Sequence, residues 1–153
     1  MNICIFVGAR PNFIKIAPIV RAIDKAKAEG KEIGSSLVYA GREDDPTLEP
    51  SLFDDLQIGR PDVCLGVDCV NLNELTGQVM SAFERYLQEH STDVVIVVDD
   101  LASTMAAAIV TKKQGILLAH LVAGTRSFDI SMPKEINRLV IDGLSDILFT
   151  AGF

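Results

Sequence analysis

Val94-Val95-Ile96-Val97-Val98-Asp99-Asp100 is the stretch on which the fold turns. Five consecutive β-branched residues leave no polar face, so this is a strand buried on both sides. Such strands belong to parallel sheets covered by helices. The flanks agree. Asn73 to His90 places Leu75, Val79, Ala82, Phe83, Tyr86 and Leu87 on one side of a helix, with Glu84, Arg85 and Gln88 largely outside. Ser103 to Gln114 forms another helix, whose small alanines suit close packing on a sheet. Working outward, the apolar runs predict strands at Ile3–Val7, Ser35–Tyr39, Val63–Leu65, Ile116–Leu121 and Ile147–Phe149. A first helix starts near Pro11 and runs towards Gly30, with a kink expected at Pro18, and a last one spans Pro133 to Asp142. Between the second strand and Phe53 lies a polar loop, Gly41-Arg42-Glu43-Asp44-Asp45-Pro46. Right-handed crossovers limit this series to an α/β fold, a doubly wound, mainly parallel six-stranded sheet with helices on both faces. Ligands on such sheets sit beyond the carboxyl ends of the strands. That places a site among four loops, Gly8–Pro11, Gly41–Asp45, Asp99–Ser103 and Gly124–Pro133.

Composition bounds the function. The chain has 153 residues, 48 % of them hydrophobic, and carries 14 Lys and Arg against 21 Asp and Glu, a net charge of −7. One domain over 1–153 is expected. The acidic balance argues against nucleic acid and against anionic membranes as partners. No apolar run approaches the roughly 18–20 residues that span a bilayer. Met1 to Val7 lacks a basic leader and reads as a buried strand, so a cytoplasmic protein is expected. Cys4, Cys64 and Cys69 stand in no metal-binding spacing, and reduced thiols with neither disulfide nor metal are expected.

Candidate chemistry sits at the strand ends. Gly8-Ala9-Arg10-Pro11 enters a helix whose first amides carry partial positive charge, and Arg10 adds a cation able to grip phosphate. A phosphorylated ligand fits there. The dinucleotide fingerprint needs three glycines and this loop has one, so no nicotinamide cofactor is expected. Asp99 and Asp100 end the central strand on opposite faces; one is a candidate cap for the next helix and the other a candidate for the cleft. Lys15 either meets such a carboxylate or is solvated. His120 is either an acid/base group or a structural hydrogen-bonder, and Glu135 and Arg138 can pair at i, i+3.

Taken in order, these loops resemble a known family. Val7-Gly8-Ala9-Arg10-Pro11-Asn12-Phe13-Ile14-Lys15-Ile16-Ala17-Pro18 is similar to the opening of UDP-N-acetylglucosamine 2-epimerases. Leu72-Asn73-Glu74-Leu75-Thr76, Asp100 before an alanine-rich helix, His120-Leu121-Val122-Ala123-Gly124-Thr125-Arg126 and Pro133-Lys134-Glu135-Ile136-Asn137-Arg138 follow in the family's order. The resemblance implies one Rossmann-like half of a glycosyltransferase-B-like fold, the N-terminal one, with the second domain absent. It implies elimination and re-addition of UDP, which converts UDP-GlcNAc to UDP-ManNAc without a cofactor. It marks Asp100 as a candidate catalytic residue and Arg10, Lys15 and Arg138 as substrate-binding residues.

The chain also departs from the family's pattern. Where the family has a glutamate in His-Val-Glu-Ala-Gly this chain has Val122, and where it has the first glutamate of Pro-Glu-Glu this chain has Lys134. In the loop resembling Thr-Gly-Gln-His it has Ala40-Gly41-Arg42-Glu43. The reading is therefore an epimerase-like protein, inactive as this isolated half. The alternatives are a non-catalytic module that binds a nucleotide sugar or a protein, and the N-terminal subunit of a split enzyme. Weak binding of UDP or a UDP-sugar is expected. So is association, either as a homodimer through the helix Asn73–His90, whose Phe83, Tyr86 and Leu87 extend its apolar stripe, or with a chain carrying the missing domain.

Overall fold

The computed structural model describes residues 1–123 and 129–150. Elements follow one another as β1 (Asn2–Val7), α1 (Arg10–Ala28), β2 (Gly34–Tyr39), α2 (Pro50–Leu56), β3 (Val63–Cys64), α3 (Leu72–Glu89), β4 (Val94–Val98), α4 (Ala102–Lys113), β5 (Leu117–Ala123), α5 (Pro133–Leu144) and β6 (Ile147–Thr150). All pairings are parallel, in the order β3-β2-β1-β4-β5-β6. The chain winds outward from β1, returns through α3 to β4 and winds outward again, so the switch point lies between β1 and β4.

The period-2 alternation of β1 divides the core. Ile5 and Val7 point to the face covered by α1 and α2, where Phe13, Ile16, Leu52 and Phe53 are buried. Cys4 and Phe6 point to the opposite face, covered by α3, α4 and α5, with Val79, Phe83, Ala107 and Ile141. Alanines at 106, 107 and 108 let α4 lie close to the sheet, and all three are inaccessible to solvent.

Asn71 caps α3, its side-chain oxygen accepting the amides of Asn73 and Glu74 at 3.0 and 3.1 Å. α2 was not anticipated from the polar loop. It is one short helix with Pro50 in its first turn, and it forms because Leu52 and Phe53 have a hydrophobic layer to enter. α1 runs through Pro18.

Three aspartates register the sheet. Asp62, Asp93 and Asp146 each precede a strand. Each donates its amide to a neighbouring strand's carbonyl, at 2.8 Å to Leu37, Asn2 and Leu118. Each carboxylate then accepts the amide of that same neighbour, at 2.7, 2.7 and 2.8 Å. Side chain and backbone thus continue the ladder past its last regular bond.

Two expectations are corrected. The helix stripe proposed for self-association is consumed by the core, since Phe83, Tyr86 and Leu87 of α3 are buried under 10 % exposure. Exposed apolar side chains lie elsewhere, at Ile136 and Leu139 on α5 and at Ile147, Leu148 and Phe149 on the edge strand β6. Neither Asp99 nor Asp100 caps α4: its N-cap is Leu101, with no side-chain cap. Both carboxylates are drawn instead to cations on other helices. The part of the Gly124–Pro133 loop at 124–128, with Gly124, Thr125 and Arg126 of the family-like motif, lies outside the described residues, as do 151–153.

Candidate functional site

At the carboxyl ends of β1, β4 and β5 the chain opens a cleft of about 370 Å³, lined by residues of the Ala9–Lys15 and Asp99–Leu101 segments together with His120, Val122, Lys134, Arg138 and Asp142. Gly8 lets β1 turn into α1 here, because a Cβ on it would sit 2.2 Å from Ser103 Oγ of α4.

The adjacent aspartates leave β4 in opposite directions and tie the two helical layers together. Asp99 turns with φ 63°, the left-handed region that suits Asp better than most residues. Its carboxylate accepts Lys15 Nζ at 2.6 Å and Asn12 Nδ2 at 2.8 Å, both from α1. Asp100 accepts Arg138 Nε of α5 at 2.7 Å, and its carbonyl accepts Asn137 Nδ2 at 3.0 Å. Arg138 also faces Glu135 at 3.8 Å. Asn12 is itself held by the turn, its Oδ1 accepting the Gly8 amide at 3.1 Å.

His120 lies at the floor of the cleft, 1 % exposed and hydrogen-bonded through both ring nitrogens. Its Nε2 lies 2.7 Å from the Asp99 carbonyl, which can only accept, so the proton in that bond is on the ring. Its Nδ1 lies 2.5 Å from the Asp142 carboxylate. The ring thereby fixes the peptide that aims Asp99 at Lys15. Val122 stands beside it with φ 62°, in a register shift of β5 between Leu121 and Ala123. A left-handed β-branched residue is a strained conformation, of order 1–3 kcal/mol, and such strain clusters at functional sites.

Of the residues singled out in the sequence, Lys15, Asp100 and Arg138 come together in this cleft, with Val122 and Lys134 on its lining. Arg10 does not join them. It is exposed, and its Nε donates to the Thr47 carbonyl at 3.0 Å, towards the segment before α2. Sequence reasoning missed Asn12, Asn137 and Asp142. A polar residue in the first turns of a helix at a strand-end loop was the available signal for the two asparagines; Asp142 had none.

A second concavity of about 440 Å³ adjoins, between Gly8, Ser103 and the Gly41–Asp45 loop. There Arg42 is bidentate to Asp44 at 2.9 Å and 3.8 Å from Asp68. Hydrogen bonds from the Thr47 amide and then the Tyr39 hydroxyl hold Asp45 below the usual carboxylate range, and burial followed by the Asp45 bond pushes Tyr39 up. Among the described residues no group of three or more His, Cys, Asp and Glu could hold a metal ion, and no helix is long and apolar enough to cross a membrane.

An open parallel sheet of this order, with its polar cleft at the switch point and an uncapped helix N-terminus entering it, defines a Rossmann-like domain, of the kind that makes one half of a glycosyltransferase-B-like fold. The sequence model for UDP-N-acetylglucosamine 2-epimerase matches residues 25–152, and the chain belongs to that family.

A UDP-N-acetylglucosamine 2-epimerase homolog of Methanococcus maripaludis is 38 % identical over 150 residues, covering 98 % of this chain and 40 % of the relative. The UDP-2,3-diacetamido-2,3-dideoxy-D-glucuronate 2-epimerase of Pseudomonas aeruginosa is 34 % identical, with 97 % and 41 % covered. The Methanocaldococcus jannaschii UDP-GlcNAc 2-epimerase, solved with UDP-GlcNAc and UDP, superposes with a TM-score of 0.86 at 33 % identity, with 98 % and 40 % covered. The chain thus spans about two fifths of the length of the relatives it matches.

Proposed function

We propose that this chain forms one wall of a nucleotide-sugar site of the UDP-GlcNAc 2-epimerase type. The observation that carries this is the convergence of the Lys15–Asp99 and Arg138–Asp100 pairs on one strand-end cleft beside the α1 N-terminus. In this reading α1's first amides and Lys15 face the diphosphate, Arg138 faces the sugar end, and Asp100 is the group placed to move a proton. Arg10 reaches the ligand only by leaving the Thr47 carbonyl.

Epimerisation needs a base for the C2 proton and cations for the departing diphosphate. The described wall offers Asp100 already bound to Arg138, while Val122 carries no proton and Lys134 is a cation. Alone, the chain binds and does not turn over. Binding is weak, about 4 kcal/mol for a millimolar ligand, because a one-sided site leaves much of the nucleotide in water. Titration with UDP and with UDP-GlcNAc, followed by amide shifts, tests this: shifts are expected in Gly8–Lys15 and around Asp100. Shifts confined to other faces refute it. Solvent deuterium entering C2 of UDP-GlcNAc, and abolished by Asp100→Asn, would overturn the inactive half of the reading.

A second reading, in which another polypeptide completes the site, is favoured by the apolar side chains exposed along α5 and the open β6 edge. A homodimer of twice the 16.6 kDa chain, or a co-purifying second Rossmann-like chain, supports it; a clean monomer at high concentration counts against it.

A further inference from the structure

We infer that Asp99 is an internal anion that stands on Lys15 in the place of a ligand's phosphate and thereby sets how strongly the cleft takes a nucleoside diphosphate, an inference that rests on the nucleotide-sugar reading above. The contacts of its carboxylate carry the argument. Two polar side chains of α1 reach it, and each oxygen receives one: Lys15 Nζ donates to Oδ1 at 2.6 Å and Asn12 Nδ2 to Oδ2 at 2.8 Å. Those are the donors that a phosphate entering beside the α1 N-terminus would meet. Among the described residues lining the cleft, Lys15, Lys134 and Arg138 are matched in number by Asp99, Asp100 and Asp142, and Arg138 already serves Asp100 at 2.7 Å with Glu135 at 3.8 Å. A diphosphate therefore enters a cleft already balanced in charge, and it gains Lys15 only by displacing Asp99.

Folding has no need of this carboxylate. Asp99 adopts φ 63°, a backbone course that glycine takes freely and asparagine about as well as aspartate. α1 is seated on the sheet without the ion pair, through Phe13, Ile16 and Ala17, each at most 1 % exposed. The pair is also placed to open. The Lys15 side chain is 44 % exposed and that of Asp99 17 %, so solvent screens their attraction and an anion of higher charge can outcompete the carboxylate. The backbone cannot carry the carboxylate away, because the Asp99 amide donates to the Leu121 carbonyl at 3.3 Å and its carbonyl accepts His120 Nε2 at 2.7 Å. Only a side-chain rotation clears Lys15, and the displaced carboxylate stays at the end of β4 as a like charge beside the diphosphate.

The test titrates the whole chain with UDP, followed by amide shifts, in the wild type, in Asp99→Asn, in Asp99→Gly and in the double variant that joins Lys15→Gln to Asp99→Asn. Glu89→Gln, at the far end of α3, makes the same change in net charge away from the cleft. UDP is expected to bind Asp99→Asn and Asp99→Gly about tenfold more tightly than the wild type, the joint effect of one freed, partly exposed cation and one like charge removed. The gain should vanish in the double variant and be absent from Glu89→Gln, and uridine, which lacks the diphosphate, should show none. Amide spectra certify the fold of each protein. Absence of the gain from either Asp99 variant, a gain that survives Lys15→Gln, or one that Glu89→Gln matches or uridine shares overturns the inference and leaves the nucleotide-sugar reading standing. No shift in Gly8–Lys15 or near Asp100 with UDP in any of these proteins overturns both.

Discussion

Removing both members of the His120–Asp142 pair should cost less than the sum of removing each alone. The ring is 1 % exposed and the Asp142 side chain 5 %, so water offers little to whichever group is left behind. Breaking a buried pair by deleting one partner costs about 3–5 kcal/mol. His120→Leu also strips the Asp99 carbonyl of its donor at 2.7 Å, a further loss of about 1–3 kcal/mol for an unsatisfied buried group. The expected cost of His120→Leu is then ~4–8 kcal/mol, a large share of the 5–15 kcal/mol that holds an ordinary domain together. Asp142→Leu should cost ~3 kcal/mol. The double variant replaces the pair with apolar volume and should cost no more than His120→Leu alone, giving a coupling of at least ~3 kcal/mol. Urea unfolding of the four proteins, followed by far-ultraviolet circular dichroism, measures the cycle. Additivity within about 0.5 kcal/mol would show the two side chains to be energetically independent and refute the reasoning.

Other expectations follow from single groups. Hydrogen bonds from Lys112 and then the Leu118 amide hold Asp146 below the usual carboxylate range, so its contribution is present above the unfolded value near 3.9 and is lost as pH falls through the lower folded one. Asp146→Asn should therefore flatten the acid limb of an unfolding-versus-pH curve below about pH 4 and leave its neutral shape intact. Burial pushes Cys4 up to about 12, so a thiol reagent at pH 8 should leave it unmodified in the native chain and modify it in denaturant, as peptide mapping would reveal. Asp100→Ala removes the 2.7 Å partner of Arg138; it should weaken the tie between β4 and α5 by about 1–2 kcal/mol, read as faster amide exchange in α5 with α1 unchanged.

The sequence alone determined every element but α2, because each of those is written in a local period, whereas α2 forms only where Leu52 and Phe53 find a hydrophobic layer. The run Val94–Val98 could only be a doubly buried strand, and the observed strand has those bounds. The stripe from Leu75 to Leu87 defines α3 without reference to anything distant. Family membership was legible for the same reason, as short motifs in order along the chain. The tertiary structure decided what those motifs do, since contact between strand ends depends on which strands are neighbours, and periodicity does not encode strand order. It chose Asp99 for Lys15, 84 positions apart, and Asp100 for Arg138, 38 apart. It made His120 a buried prop by bringing Asp142 to it across 22 positions. It turned Arg10 to the Thr47 carbonyl and buried the α3 stripe offered for dimerisation. Charged side chains at a strand end have several partners within reach, and the backbone course of Asp99 and Val122, both left-handed, selects among them.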